Sequence, residues 1–217
     1  MNKGGFITIE GADGAGKTTQ LNFVEEWISQ RGIELVRTRE PGGTALGERL
    51  RQILLAANDL SISDEAELLM IFAARQQHLD QLIIPALEAG KWVLSDRFTD
   101  ATYAYQGAGR GIAFERIEVL ENWVQKGLQP DLTMVLDVNV ETGMARSAGR
   151  GLEADRFERQ AITFKEAVRL NYLQRAAQMP ERIHVIDASG SVQSVQHSLV
   201  AVLEGFWDSR TNLAGLQ

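Results

Sequence analysis

The chain has 217 residues, 44% of them hydrophobic, which is enough for one well-buried α/β domain with small insertions. Its formal net charge of −7 argues against non-specific nucleic-acid binding, and the lack of cysteine excludes a disulfide framework and thiolate metal sites. No apolar run approaches the ~18 residues of a membrane span, and residues 1–10 carry no signal-peptide pattern. We therefore expect a cytoplasmic protein with neither nucleic-acid nor membrane partners.

Five short runs rich in β-branched and apolar residues predict the strands of one sheet. Segments with helical spacing separate them, and several runs are apolar at consecutive positions, as expected when helices cover both faces of a parallel sheet. This alternation predicts an α/β fold with a doubly wound, five-stranded parallel sheet in three layers, α/β/α. The runs are FITIE (6–10), ELVRT (34–38), WVLSD (92–96), LTMVLDV (132–138) and IHVID (183–187).

Two segments between these runs carry a helical period of apolar residues. The first, 46–57, has an apolar face that we expect to be buried, made of Leu46, Leu50, Ile53 and Leu54. The second, 64–89, carries a longer face made of Leu68, Leu69, Phe72, Leu79, Leu82, Ile83 and Leu87. No repeat or linker divides the chain, so residues 1–217 are predicted to form a single domain.

The residues after the first predicted strand form a phosphate-binding motif. Residues 11–18 read GADGAGKT and match G-x-x-x-x-G-K-[ST] at every fixed position, between a strand and a helical segment as the motif requires. Glycines let backbone N–H groups turn toward an anion, and the next helix adds the positive end of its dipole. Lys17 is placed to bridge the β- and γ-phosphates of a nucleotide, and the Thr18 hydroxyl to bind Mg²⁺. The predicted ATP-binding residues are Gly11, Ala12, Asp13, Gly14, Ala15, Gly16, Lys17, Thr18 and Thr19.

Such a loop serves GTPase switches, ATPases and kinases alike. A GTPase is expected to carry N-K-x-D, which does not occur in this sequence. A kinase needs a second site that holds an acceptor. The polar residues at the other predicted strand ends indicate whether such a site exists.

Arginines follow two of the predicted strands. Arg39 lies in TREPGGT after the second strand, and Asp96 and Arg97 end and follow the third. Ligands of open parallel sheets bind at the carboxyl ends of strands, so both guanidinium groups are predicted to hold an anionic acceptor. Asp96 is suited either to hold a water bound to Mg²⁺ or to orient an arginine. Each arginine alone is equally well explained as a solvated surface charge.

A further group of residues suits a base and a sugar. Arg75 lies in the apolar stretch FAAR, where a guanidinium needs a partner, although a side chain that extends to solvent is the alternative. Thr102, Tyr105 and Gln106 combine hydroxyl, aromatic and amide groups, the chemistry for reading a base edge, although the same segment suits a surface helix. Phe72 offers a ring three residues before Arg75, but its period favours a core position.

The stretch 146–159 is charged, contains glycine and is poor in core residues. It carries Arg146, Arg150, Arg156 and Arg159. It reads either as a solvated helix with i,i+4 charge pairs or as a lid that brings an arginine to a transferring phosphate. The phosphate-binding loop has Gly14 and Ala15 where an arginine could otherwise lie.

Together these stretches resemble the bacterial thymidylate kinase family of P-loop nucleoside monophosphate kinases. The resemblance rests on EGADGAGKTT, TREPGGT, FAAR, SDRFTDATYAYQGAGRG, PDLTMVLDV and GRGLEADRFE, in the family's order across residues 9–159. TREPGGT and DR-x₄-T-x₂-YQG are specific to this branch of kinases. The resemblance implies ATP-dependent phosphorylation of dTMP to dTDP with Mg²⁺, a short mobile lid over about 146–159, and a homodimer.

The resemblance also implies roles for single residues. Asp13 matches the acid that meets the 3′-hydroxyl of the acceptor sugar and helps to organise Mg²⁺. Arg39 and Arg97 match the pair that grips the dTMP phosphate, and Lys17 holds the donor phosphates. Arg150 matches the catalytic arginine of members that carry it in the lid, with Arg146 and Arg156 as helpers.

At the base, the resemblance implies that Arg75 reads a thymine carbonyl. Thr102 and Gln106 match positions that read the base, and Tyr105 matches the residue that packs against deoxyribose and disfavours a 2′-hydroxyl. Many members carry a base-stacking aromatic residue four positions before the pocket arginine. In this sequence that position is Ile71, whereas Phe72 lies three positions before Arg75. One position turns a helical side chain by about 100°, so Phe72 is expected to stack on the base only if the local geometry differs from that of those members.

Two other functions fit parts of this pattern. A deoxynucleoside kinase acts on an uncharged hydroxyl and needs a carboxylate base rather than an arginine pair. A P-loop ATPase switch needs no small-molecule acceptor. The dTMP phosphate is already ionised at neutral pH, so we expect catalysis by positioning and charge neutralisation, without a strong general base.

Overall fold

The structure is a computed structural model that describes residues 4–56, 61–148 and 155–214. These residues form a five-stranded, fully parallel sheet in the order β2-β3-β1-β4-β5. The predicted α/β class and the parallel five-stranded sheet are therefore confirmed. The strands are β1 (Phe6–Glu10), β2 (Leu35–Arg39), β3 (Trp92–Asp96), β4 (Leu132–Asp137) and β5 (Ile183–Asp187).

Helices connect the strands, as parallel pairing requires. In two places the α-helix passes into a π-helical segment: α3 continues through Leu79–Ile83 into α4, and α5 continues through Tyr103–Gly109. The helices are α1 (Lys17–Ser29), α2 (Ala45–Leu55), α3 (Asp64–His78), α4 (Ile84–Glu88), α5 (Thr99–Thr102), α6 (Phe114–Gln125), α7 (Val140–Ala148), α8 (Ile162–Gln178) and α9 (Val192–Ala214).

The core lies on both faces of the sheet, because alternate strand residues point in opposite directions. In β1, Ile7 and Ile9 pack on the face covered by α1 and α9. Phe6 packs on the opposite face with residues of β3 and α4. Glu10 is also fully buried, at the carboxyl end of this central strand. The fully buried strand β1 therefore ends in a charged residue, and the glycine-containing loop follows it directly at the carboxyl ends of the strands.

The predicted buried face of the segment 46–57 is only partly right. Leu54 is fully buried, but Leu46 and Ile53 are 47% and 39% exposed. The inner face of α2 is formed by Gly47, Arg51 and Leu54, spaced at i, i+4 and i+7. Tertiary packing overrides the apolar period here, because an arginine occupies the middle of the face that looks inward.

None of the helices in the described residues is both long enough and apolar enough to span a membrane. The single-domain assignment of residues 1–217 remains a prediction.

Candidate active site

The phosphate-binding loop connects the buried strand β1 to α1. Gly16 precedes the helix at φ 89°, a left-handed conformation that favours glycine, and no side chain caps the first turn. The leading N–H groups of α1 are thus left for a ligand rather than for a capping residue. Thr18 and Thr19 are exposed in that first turn. The local structure fits the phosphate cradle that the motif predicts.

Gly14 lies against α7 so closely that no side chain fits. A Cβ there would lie 1.9 Å from the carbonyl oxygen of Gly143, and its φ is 79°. An arginine at this position of the loop would require a displaced backbone. The chain therefore needs a different source for any arginine that reaches the transferring phosphate.

Lys17 is half-buried and its ammonium group points back into the loop. Its Nζ donates to the carbonyl oxygens of Gly11 and Ala12, at 3.2 and 3.5 Å. Burial and the positive charge of Arg97 lower the pKa of Lys17. An anionic phosphate at the loop would offset both effects, since it favours the charged amine.

Arg97 follows β3 and faces the loop across the cleft. Its backbone has φ 71°, a strained conformation for a residue with a side chain. Nη2 donates to Asp13 Oδ1 at 3.0 Å, Nη1 donates to the Tyr172 hydroxyl at 3.3 Å, and the guanidinium carbon lies 4.7 Å from the Tyr105 ring centroid. The structure thus brings the predicted residues Asp13, Arg97 and Tyr105 into one cluster.

Asp96, a predicted metal residue, carries a buried Oδ1 atom without a hydrogen-bond partner in the described residues. Thr18 lines the same cleft. The described residues contain no group of three or more metal-binding side chains. This donor set fits Mg²⁺, which keeps several waters and takes only one or two protein oxygens beside the substrate phosphates.

The end of the cleft beside Lys17 and Arg97, called the phosphate end below, holds an arginine that the sequence interpretation missed. Arg51 of α2 lines the cleft and donates to the Pro41 carbonyl oxygen at 3.0 Å. Burial and the nearby Arg39 guanidinium lower the pKa of Arg51, with Arg97 adding to the effect. Its helical spacing from Gly47 and Leu54 is the sequence feature that could have placed Arg51 on the inner face of α2. A cluster of guanidinium groups that repel one another is a site that an anion would stabilise.

Arg39 is not among the residues that line the cleft. Its side chain is about half exposed and pairs with Glu48 at 2.8 Å. The structure therefore brings Arg97 and Arg51 together at the cleft, rather than the expected pair of Arg97 and Arg39. The phosphate role of Arg39 stays a prediction.

At the other end of the cleft, called the base end below, Arg75 is almost fully buried. Nε donates to Glu40 Oε2 at 2.7 Å and Nη2 to Thr102 Oγ1 at 2.9 Å, while Nη1 is buried without a partner in the described residues. Burial acts to raise the pKa of Glu40, but Arg75 and His78 hold it below its ordinary value. The guanidinium is thus neutralised on one side and keeps one donor for a ligand.

Phe72 does not line the cleft in this structure. It is 2% exposed and packs with Leu68, Tyr103 and Ile117, while its ring lies 4.9 Å from the Arg75 guanidinium carbon. Ile71, one position earlier, lines the cleft instead. The core position that the helical period favoured is the one observed, and base stacking by Phe72 stays an untested prediction.

Gln106 and Thr102 line the cleft beside Arg75. Gln106 lies in the π-helical segment after α5, is 2% exposed, and donates from Nε2 to Glu67 Oε1 at 2.7 Å. Glu67 is a fully buried carboxylate of α3 that the sequence interpretation also missed. Glu67 lies in the acidic first turn of α3, where a carboxylate is ordinarily exposed, so nothing in the local sequence indicated that it is buried.

The predicted lid region is described only in part. Arg150 lies outside the described residues. Arg146 lines the cleft and donates to the carbonyl oxygens of Ala188 and Ser189, at 2.8 and 3.1 Å. Arg156 donates to the Leu54 carbonyl oxygen at 3.1 Å and to Glu67. Arg156 thus contacts the base end of the cleft rather than the loop.

One cleft of about 560 Å³ therefore joins a phosphate-binding loop to a buried polar pocket. A P-loop that shares one cleft with a group of arginines and with a buried polar pocket is typical of nucleotide-binding phosphotransferases with the P-loop fold.

The comparisons with known proteins identify the family within this class. A sequence model described as thymidylate kinase matches residues 9–199. The thymidylate kinase of Chromohalobacter salexigens is 55% identical over 204 residues, 94% of this chain and 96% of that protein. That of Pseudomonas putida is 54% identical over 200 residues, 92% of this chain and 95% of that protein.

A solved structure agrees. The crystal structure of thymidylate kinase from Ehrlichia chaffeensis superposes with a TM-score of 0.76 at 35% identity, covering 93% of this chain and 99% of that chain. This chain belongs to the thymidylate kinase family.

Proposed function

We propose that this protein transfers the γ-phosphoryl group of ATP to dTMP, giving dTDP and ADP, with the two substrates in the single cleft described above. The observation that carries the proposal is the continuity of that cleft, which runs from Lys17 and Thr18 past Arg97 to Arg75 and Gln106. The family supports the reaction, and the residues that line the cleft support the proposed positions of the two substrates. The proposal includes a cytoplasmic location.

The phosphate end suits an in-line transfer between two anions. Lys17 and the N–H groups of the loop would hold the ATP phosphates, and Arg97 with Arg51 would hold the acceptor phosphate. Bound Mg²⁺ would neutralise charge on the phosphates, with Thr18 and Asp96 as the protein groups nearest to it. Asp13, held by Arg97, would meet the 3′-hydroxyl of the sugar.

The base end suits a pyrimidine with a hydrogen on N3. Nη1 of Arg75, which has no hydrogen-bond partner among the described residues, offers a donor to a carbonyl oxygen. Tyr105 lies beside Arg97, where a deoxyribose would join the two ends. Arg150 is proposed as the catalytic arginine of the lid. The tight contact of Gly14 with Gly143 supports an arginine from outside the loop.

The testing experiment is a coupled assay of ADP release with ATP and Mg²⁺, to which dTMP, thymidine or no acceptor is added. We expect strong stimulation by dTMP alone. Stimulation by thymidine would favour a deoxynucleoside kinase, and ATP hydrolysis that neither compound stimulates would favour a P-loop switch; either result would overturn the proposal.

We further propose that the protein forms a homodimer through α2, α3 and α6. These neighbouring helices expose apolar side chains to solvent, among them Leu69 at 56%, Val119 at 66% and Trp123 at 74%. Sedimentation equilibrium tests the proposal. Trp123→Glu should give a monomer, whereas Val192→Glu on α9 should leave the mass unchanged; a monomeric parent protein would refute it.

A further inference from the structure

The buried carboxylate of Glu67 accepts hydrogen bonds on both of its oxygens. Oε1 accepts from Gln106 Nε2 at 2.7 Å and from Arg110 Nε at 3.4 Å. Oε2 accepts from Arg110 Nη2 at 3.2 Å and from Arg156 Nη2. Glu67 is fully buried and does not line the cleft, so it touches Gln106 from behind.

This contact fixes which way the Gln106 amide faces. A side-chain amide has a donor end and an acceptor end, and a carboxylate that already accepts from guanidinium groups can pair only with the donor end. Gln106 Nε2 therefore points to Glu67. No hydrogen bond to Gln106 Oε1 is found among the described residues, and the residue lines the cleft, so the acceptor end remains for a ligand.

The base pocket thus presents an acceptor from Gln106 and a donor from Arg75 Nη1. Thymine offers the complementary pattern at N3–H and a carbonyl oxygen. Cytosine offers the opposite pattern, with an N3 lone pair and an amino group at C4. A site whose polar groups are left mismatched rejects the wrong ligand strongly, because those groups stay buried and unpaired.

We propose that Glu67 is a positioning residue that sets base specificity: by holding Gln106 Nε2 it turns Gln106 Oε1 toward the base and makes the pocket select thymine over cytosine. The inference rests on the proposed dTMP kinase function. Arg110 and Arg156 serve to keep Glu67 an acceptor on both oxygens. Residues behind the pocket wall, and not only those that touch the base, then decide the preference.

The substitution Glu67→Gln tests this directly. The new amide has a single acceptor oxygen, which the guanidinium groups of Arg110 and Arg156 would take. Its amino group would face Gln106, whose amide would then turn over and present a donor to the base. We expect the ratio of kcat/KM for dTMP to that for dCMP to fall by about 10- to 100-fold.

Two further variants separate this role from simple loss of structure. Glu65→Gln removes a charge from the exposed side of the same helix and should leave the ratio unchanged. The swap of Glu67→Gln with Gln106→Glu keeps the net charge, and its residue 106 offers only acceptor oxygens. It should recover most of the preference for dTMP, which a damaged fold would not do.

The inference is overturned if Glu67→Gln lowers activity on both nucleotides equally, or if the swap remains as unselective as the single variant. Should Glu67→Gln fail to fold, the swap alone decides: a folded swap variant without preference for dTMP overturns the inference. Failure of the proposed function is a separate result, since the unsubstituted protein would then phosphorylate neither nucleotide.

Discussion

The two ends of the cleft differ in how their charged side chains are compensated. At the phosphate end, the Arg97 guanidinium helps to lower the pKa of both Lys17 and Arg51, and all three side chains are partly exposed. At the base end, Arg75 and Glu67 are buried and already paired with opposite charges. The phosphate end therefore has an excess of positive charge. At the base end the charges compensate one another, and only a few polar atoms lack a hydrogen-bond partner among the described residues.

This difference predicts how each end responds to substitution. Arg51 of the phosphate end forms no ion pair within the described residues, so its removal should cost affinity rather than stability. A charge of the base end belongs to a buried network, so its removal leaves a partner charge uncompensated and should cost stability as well.

The largest effect is expected at Arg150, which would supply the arginine that position 14 of the loop cannot hold. Arg150→Ala should lower kcat by about 10³-fold or more while leaving dTMP affinity unchanged, because a catalytic arginine acts on charge that develops in transfer. Steady-state kinetics with equilibrium dTMP binding measure both quantities. Arg159→Ala, in the same stretch, is the matched control, and unchanged turnover of Arg150→Ala would remove the lid assignment.

The next effect concerns the stability of the base end. Arg75→Met should lower the free energy of unfolding by about 3–5 kcal/mol, because Glu40 remains buried and loses its guanidinium partner. Chemical denaturation measures the change. Arg116→Met breaks an exposed pair with Glu65 and should cost no more than about 1 kcal/mol. Equal losses would contradict the assignment of Arg75 to a buried charge network.

A smaller effect is expected at the phosphate end. Arg51→Ala should weaken dTMP binding by about 10- to 100-fold, the value of one charged hydrogen bond, while thymidine binding stays the same. Isothermal titration calorimetry with both ligands measures this. Arg49→Ala, exposed on the same helix, is the control. A parallel loss of thymidine affinity would show that Arg51 does not act through the phosphate.

The last prediction concerns the buried carboxylate of Glu10, which does not line the cleft. Burial and the Asp100 carboxylate raise the pKa of Glu10 to about 8. From about pH 4.5 upward the unfolded chain releases a proton that the folded protein keeps, so stability falls with pH until about 8. Glu10 contributes up to about 1.4 kcal/mol per pH unit to this slope.

Glu10→Gln should remove that contribution from the pH dependence of unfolding. Denaturant titrations of both proteins at pH 5, 6, 7 and 8 measure the difference in slope. Parallel curves for the two proteins would place the pKa of Glu10 near its ordinary value and contradict the prediction.

Sequence patterns and structure agree best where a local rule governs. The five strands lie within one residue of their predicted bounds, because short β-branched and apolar runs give a strong local signal, strongest in β1, β3 and β4, which are almost fully buried. The loop at 11–18 follows from its motif, since its chemistry depends on backbone N–H groups of adjacent residues. Arg51 and Glu67 escaped notice because each lies in a helix whose local sequence looks like an ordinary amphipathic surface.

The sequence by itself determined the fold class, the phosphate-binding motif and the family, because these depend on short-range spacing and on motifs in a fixed order. Only the tertiary structure decided that Arg51 rather than Arg39 lines the cleft, that Ile71 rather than Phe72 faces it, and that Glu67 holds Gln106. Each of these depends on which side of a helix is covered by residues far away in the chain, which no local pattern contains.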